Sequence, residues 1–360
     1  MKKVIKKLFE IIIFIALFLT ILFKMSLIEK TYGKGLNNDR NSVLFYELDK
    51  NTVDVMMVGD SHIYHSFISQ LIYNQSGITS AIMATSNQSI INSYWAIKHA
   101  LNRQKPKVII MDTHSIEDTL RKADDYLHFT SGILALPDFC IDKYYCYKDL
   151  KEAGYGLSDS LTVYDVVGLL QFRNDYDREF NIEELINLIV CPEKEFKTFG
   201  YYPSTEIMEL EALNVGGTYD VVDFEDTITY IYLNKILELC KQNDMELLLT
   251  RNLYNSTSAN LKTYESIFKW ADANDVKYID YFELIEQLDF NTKTDFCNST
   301  HLNYSGAKKA SNYLINFLKN NYNLEDHRND KKYYLWQDNN FDYESLDKQM
   351  NESISSSNSQ

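Results

Sequence analysis

Short runs of consecutive apolar residues alternate with stretches of helical periodicity along most of this chain. Residues 53–59 (VDVMMVG), 78–84 and 107–112 (KVIIMD) read as strands, with helices over about 61–74 and 89–103 between them. The rhythm resumes with a helix over about 225–243, a strand at 246–250 (ELLLT), a helix over about 259–274 and a strand at 277–281. A last helix over about 305–320 closes it. Strands this continuously apolar must be covered on both faces, which means a parallel sheet between helical layers. With right-handed crossovers the expected fold is α/β: a three-layer α/β/α sandwich on a five-stranded parallel sheet.

Two stretches break the pattern. Residues 114–224 are rich in Tyr, Asp and Leu with no strand–helix repeat, and read as a mostly helical cap inserted after the third strand. Residues 324–360 are polar and acidic, and their end, NESISSSNSQ, has the composition of a disordered tail. The α/β domain with its cap insertion then covers 51–323, after a polar stalk at 31–50.

The N-terminus changes the picture of where the protein works. Lys2, Lys3, Lys6 and Lys7 precede an unbroken apolar run from 11 to 23, flanked by Glu10 and Lys24. With those two charges reaching to the interface, residues 8–28 supply the ~20 positions a spanning helix needs. The lysines set the topology, with everything after residue 30 outside. Lys24-Met25-Ser26-Leu27 offers no small-x-small cleavage site, so the expectation is an uncleaved single-pass signal anchor in the plasma membrane and an extracytoplasmic domain.

Charge and cysteine content narrow the partners. Residues 31–360 hold 30 basic and 49 acidic side chains, a net charge of −19, which excludes the electrostatic footprint of a nucleic-acid binder. Cys140, Cys146, Cys191, Cys240 and Cys297 show no CxxC and no zinc spacing. No metal site and no cofactor are expected. His62 and His65 share a helix face, but no third ligand has matching spacing.

Gly59-Asp60-Ser61-His62 falls where the first strand ends and its helix begins. A serine there projects from the carboxyl edge of the sheet, with backbone N–H groups at hand for an oxyanion. Asp60 and Ser61 are equally good helix caps. The second element is the loop Asp295-Phe-Cys-Asn298-Ser-Thr-His301, just before the final helix, which returns a histidine to the same edge. Ser61 as nucleophile and His301 as general base make a serine acyl-enzyme site.

These two blocks, Gly-Asp-Ser first and a late loop histidine last, resemble the SGNH/GDSL hydrolase superfamily, and they bracket residues 53 to about 320. The anchor and the phrase THLNYSGAKK are similar to an extracytoplasmic branch that includes teichoic-acid D-alanylation and alginate O-acetylation proteins. The resemblance implies the flavodoxin-like fold of that superfamily. It also implies acyl transfer to, or hydrolysis from, a cell-surface polysaccharide or teichoic-acid-like polymer, beside a membrane-bound O-acyltransferase.

The chain departs from that pattern twice. The acid expected three residues before the histidine is Asn298, which can orient an imidazole without adding charge. Asp295 either takes over as the acid or braces the loop. The oxyanion glycine after the second strand and asparagine after the third are also missing. Asn87 and Gln88 are the side-chain donors available there, beside Asp60 and the Ser61 N–H, and Asn87 serves equally as a helix cap. An idle surface-polymer binding or assembly factor on the same fold is the alternative function.

Overall fold

The computed structural model describes residues 2–32, 45, 48–119, most of 132–154, 198–214, 216–217, 224–255, 260–338 and 342–357. Helix α1 (Lys2–Tyr32) is followed by β1 (Val55–Gly59), α2 (Ser61–Ser66), α3 (Ser69–Ser76), β2 (Ser80–Ala84), α4 (Ile90–Ala100), β3 (Val108–Asp112), α5 (Thr113–Thr119) and α6 (Ile141–Glu152). The second half adds α7 (Ile228–Gln242), β4 (Glu246–Arg251), α8 (Leu261–Ala273), β5 (Lys277–Asp280), α9 (Tyr304–Asn321), α10 (Tyr334–Gln337) and α11 (Tyr343–Ser357).

The five strands form one parallel sheet in the order β2-β1-β3-β4-β5. Alternate residues of each strand feed two cores. Met56, Val58, Ile109, Met111, Leu247 and Leu249 pack with α4, α7 and α8 on one face. Val55, Met57, Val108, Ile110 and Leu248 pack with α2, α3 and α9 on the other. Burial on both faces is why the strands lack polar alternation.

The chain leaves β1 for β2 on one side and returns to β3 on the other, so the carboxyl ends of β1 and β3 flank a topological switch point. The register, with Gly59 opposite Ala84 and Val58 opposite Met111, brings the loops after the first three strands together.

Two expectations need adjusting. The helix expected over 61–74 is two helices. Phe67 is extended, and Ile68 gives its N–H to Ser311 Oγ at 2.9 Å, because both side chains are drawn fully into the core. The C-terminal residues expected to be disordered form α11 as far as Ser357. Leu346, Met350 and Ile354, spaced four apart, make an apolar stripe that packs on the α9 side, and Lys308 pairs with Asp347 at 2.7 Å. As for the anchor, among the described residues no helix is long and apolar enough to cross a membrane. Side chains of α1 are described only from residue 3 to 20, and the expected span runs on to residue 28.

Of the expected cap, α5, α6 and an extended strap at 198–213 are described, while 120–131 and 155–197 lie outside the described residues. The strap is stitched to the domain by backbone hydrogen bonds. Ile82 N donates to Phe199 O at 2.8 Å on the open edge of β2, Tyr202 N to Tyr64 O at 2.8 Å, and Tyr304 N to Ser204 O at 2.8 Å.

Candidate active site

Ser61 opens α2 immediately after β1. Asp60 caps the helix by accepting the N–H of His62 at 2.9 Å, which fixes the direction in which the serine leaves the strand. Gly59 has φ +156°, and a Cβ there would lie 2.9 Å from Ile63 Cγ1 and 3.1 Å from Asp112 Cβ. Only glycine lets this turn sit so close to β3.

The histidine arrives on a tight hairpin before α9. Phe296 bridges Leu302, Cys297 N donates to His301 O at 3.0 Å, and Asn303 caps α9 through the N–H groups of Ser305 and Gly306. At the tip, Asn298 Oδ1 accepts the backbone N–H of Thr300 and of His301, both at 2.9 Å. Those two donors settle which end of the amide is oxygen. The same oxygen lies 3.1 Å from His301 Nδ1, so that nitrogen carries the proton. Nε2 therefore presents its lone pair to Ser61 Oγ, 2.7 Å away. The amide thus holds the tautomer that can take a proton from serine.

Asp295 is not the partner of His301. Its carboxylate, fully buried, accepts from Asn291 N at 2.7 Å, Ser305 Oγ at 2.8 Å and Lys309 Nζ at 2.8 Å. It ties the loop to α9 and is satisfied there. Gln88 also turns away, giving its amide to Ser93 Oγ at 3.1 Å while accepting from Thr85 Oγ1. Asn87 stays at the cavity wall, in a left-handed conformation (φ +47°) that asparagine tolerates better than most residues. Arg251, at the end of β4 on the same edge, pairs with Asp280 and lies 4.2 Å from the rings of Tyr264 and Phe282.

The cavity is about 620 Å³ and is lined by Ser61, His301, His62, His65 and His114, by Ser86 and Asn87, and by strap residues 202–206. His65 packs against His301, the ring centroids 4.4 Å apart and the planes tilted by 34°. Below them Asp60 accepts from Nδ1 of His62 at 2.9 Å and of His114 at 2.6 Å. Burial acts to raise the Asp60 pKa, but the two imidazoles outweigh it and hold the carboxyl well below its usual range. Asp112 next to it is pushed well above, by burial and then by the charge on Asp60. Asp60, His62, Asp112 and His114 place ligand-type atoms within 4.8 Å of one another, close enough to hold a cation. Within that group the two Nδ1 contacts with Asp60 have the lengths of hydrogen bonds.

Compared with models of known families and with curated proteins, the chain matches none.

Burial, reinforced by His62 and His65, lowers the His301 pKa to about 2, and burial lowers His65 to about 3. The His301 imidazole is thus neutral throughout the physiological range. Both groups have folded pKa values below the unfolded 6.5, so the unfolded chain binds more protons below pH 6.5. Stability should be full above that pH and fall progressively as pH drops from 6.5 toward 2. Thermal melts across this window should show a shallower pH slope in His65→Gln than in wild type; equal slopes would contradict the neutral, buried state.

His65 and the strap escaped the sequence reading as parts of this wall. His65 lies one helical turn after Ser61, a legible spacing. Tyr202 to Glu206 carry no local signal and reach the site only through the strap's hydrogen bonds.

Among the described residues four cysteines, Cys140, Cys146, Cys240 and Cys297, are free thiols; Cys191 lies outside them.

Proposed function

We propose that this chain is a membrane-anchored, extracytoplasmic serine acyl-esterase or O-acyltransferase of SGNH type, acting on a cell-surface polysaccharide or related polymer. The 2.7 Å contact between Ser61 Oγ and His301 Nε2, with Asn298 holding the reactive tautomer, is the observation that carries the reading. Ser61 attacks an ester or thioester carbonyl and gives its proton to His301, which passes it to the leaving group. Water or a sugar hydroxyl then resolves the acyl-enzyme. The Ser61 N–H and the Asn87 amide, both on residues lining the cavity, are the donors offered to the developing oxyanion. The hydroxyl- and amide-rich wall suits a polyhydroxyl acceptor, and a membrane-bound O-acyltransferase is the partner that would supply acyl groups across the bilayer.

The test is covalent labelling with a fluorophosphonate. The full chain should label at Ser61, in the membrane fraction, and Ser61→Ala should not label. A wild-type chain that never labels would favour a second reading, a catalytically idle binding or assembly factor. That His301 Nδ1 meets the Asn298 amide, with Asp295 committed to Lys309, is the observation that supports that alternative.

A further inference from the structure

The turn after β1 and the end of β3 bring two carboxyl groups together inside the protein. Asp60 and Asp112 are both buried, and their carboxyl groups meet. Gly59 permits the approach, since a Cβ there would lie 3.1 Å from Asp112 Cβ. Asp112 Oδ1 accepts from the Asn252 amide at 3.3 Å, on the β4 side. That contact leaves Oδ2 toward the β1 side, and among the described residues no donor reaches it. A buried carboxylate oxygen in that position is costly unless a proton or a cation satisfies it. Two imidazoles close round the same point, with Nδ1 of His62 2.9 Å from Asp60 Oδ1 and Nδ1 of His114 2.6 Å from Asp60 Oδ2. One donor atom from each of the four residues lies within 4.8 Å of every other.

We propose that Asp60, His62, Asp112 and His114 form a divalent transition-metal site of the zinc class, which pins the turn between β1 and α2 to the end of β3. Two imidazole nitrogens and two carboxylate oxygens suit zinc, whereas calcium and magnesium favour shells made mostly of oxygen. Four donors in a tetrahedron around zinc stand about 3.4 Å apart. The 2.6 Å contact must therefore open a little, and pairs near 4.8 Å must close, when the ion enters. Asp60 can keep its cap on α2 through Oδ1 while Oδ2 turns to the ion. The expectation of no metal site came from spacing along the chain, where His62 pairs only with His65. Strand order supplies the missing donors instead, by setting the end of β3 beside the turn after β1. Because Asp60 and His62 flank Ser61 in sequence, the ion would stiffen the segment that carries the nucleophile.

The experiment strips the full chain with dipicolinate, then titrates it with zinc chloride and with cobalt chloride, following heat, visible absorption and melting temperature. Wild type should take up one zinc per molecule, and its melting temperature should rise with zinc concentration. Cobalt should give the intense visible bands of a four-coordinate site. Asp112→Asn and His114→Gln should each weaken zinc binding ~100-fold or more. His99→Gln removes a histidine–aspartate pair elsewhere, with Asp142, and should change nothing. X-ray absorption at the zinc edge of loaded wild type reads the ligands directly, and carries the test if the variants fail to fold. Two imidazoles with carboxylate oxygens are expected; a sulfur ligand or an all-oxygen shell would overturn the proposal. Equal binding by wild type, Asp112→Asn and His114→Gln would overturn it too, as would loss of binding in His99→Gln. A wild type that binds neither ion would mean that a proton, shared between Asp60 and Asp112, occupies the site. No arm depends on Ser61 reacting, so the acyl-transfer reading and the metal site can fail separately.

Discussion

Replacing Ser61 or His301 with alanine is expected to abolish hydrolysis of a small acetyl ester, by ~10⁴-fold or more in kcat. The serine forms the covalent bond and the imidazole takes its proton, so neither step survives the loss of the other. For the same reason the double variant should be little worse than either single one. Thermal unfolding should hardly move, because neither side chain holds the fold together. The Asn298 turn keeps its two backbone donors without His301, and Asp60 still caps α2 without Ser61. Steady-state rates and melting temperatures of the three variants decide it. Activity that survives both substitutions would remove this site from the chemistry.

The second large effect is expected at Asn298, in the direction of gain. The amide already fixes the tautomer, so Asn298→Asp changes one thing, the charge facing Nδ1. A carboxylate there stabilises the imidazolium that forms as Ser61 attacks, and turnover should rise ~10-fold or more. Asp295→Asn should act differently. Its carboxylate is committed to Lys309 and the start of α9, so the substitution should lower the melting temperature while leaving the rate per folded molecule largely intact. The double variant should combine the two effects independently. A severe rate loss in Asp295→Asn with no loss of stability would mean that the loop refolds to bring that acid onto His301.

The contrast between these two residues shows how far the sequence could be read. Both precede His301 in one loop, and spacing alone left Asp295 open as the acid. The hairpin decides between them. Its bridge from Phe296 to Leu302 puts Asn298 at the tip, facing the imidazole, and Asp295 at the base, beside Lys309. Gln88 and Asn87 divide in the same way. They are neighbours in sequence, yet one turns into the core and the other remains on the cavity wall.

The sequence by itself determined the layered parallel sheet, since two-sided burial leaves a visible mark in every strand. It also determined the Ser61–His301 pair, because strand-end turns and helix starts are local and their residues can be numbered in advance. Tertiary structure alone decided where the negative charge of the site lies. That charge rests on Asp60, beneath His62 and His114, because the switch in strand order sets β1 against β3 and joins residues more than fifty positions apart. A one-dimensional pattern records which faces are buried and where elements begin; which carboxylate meets which imidazole depends on strand order and loop geometry, and these are fixed only when the chain has packed.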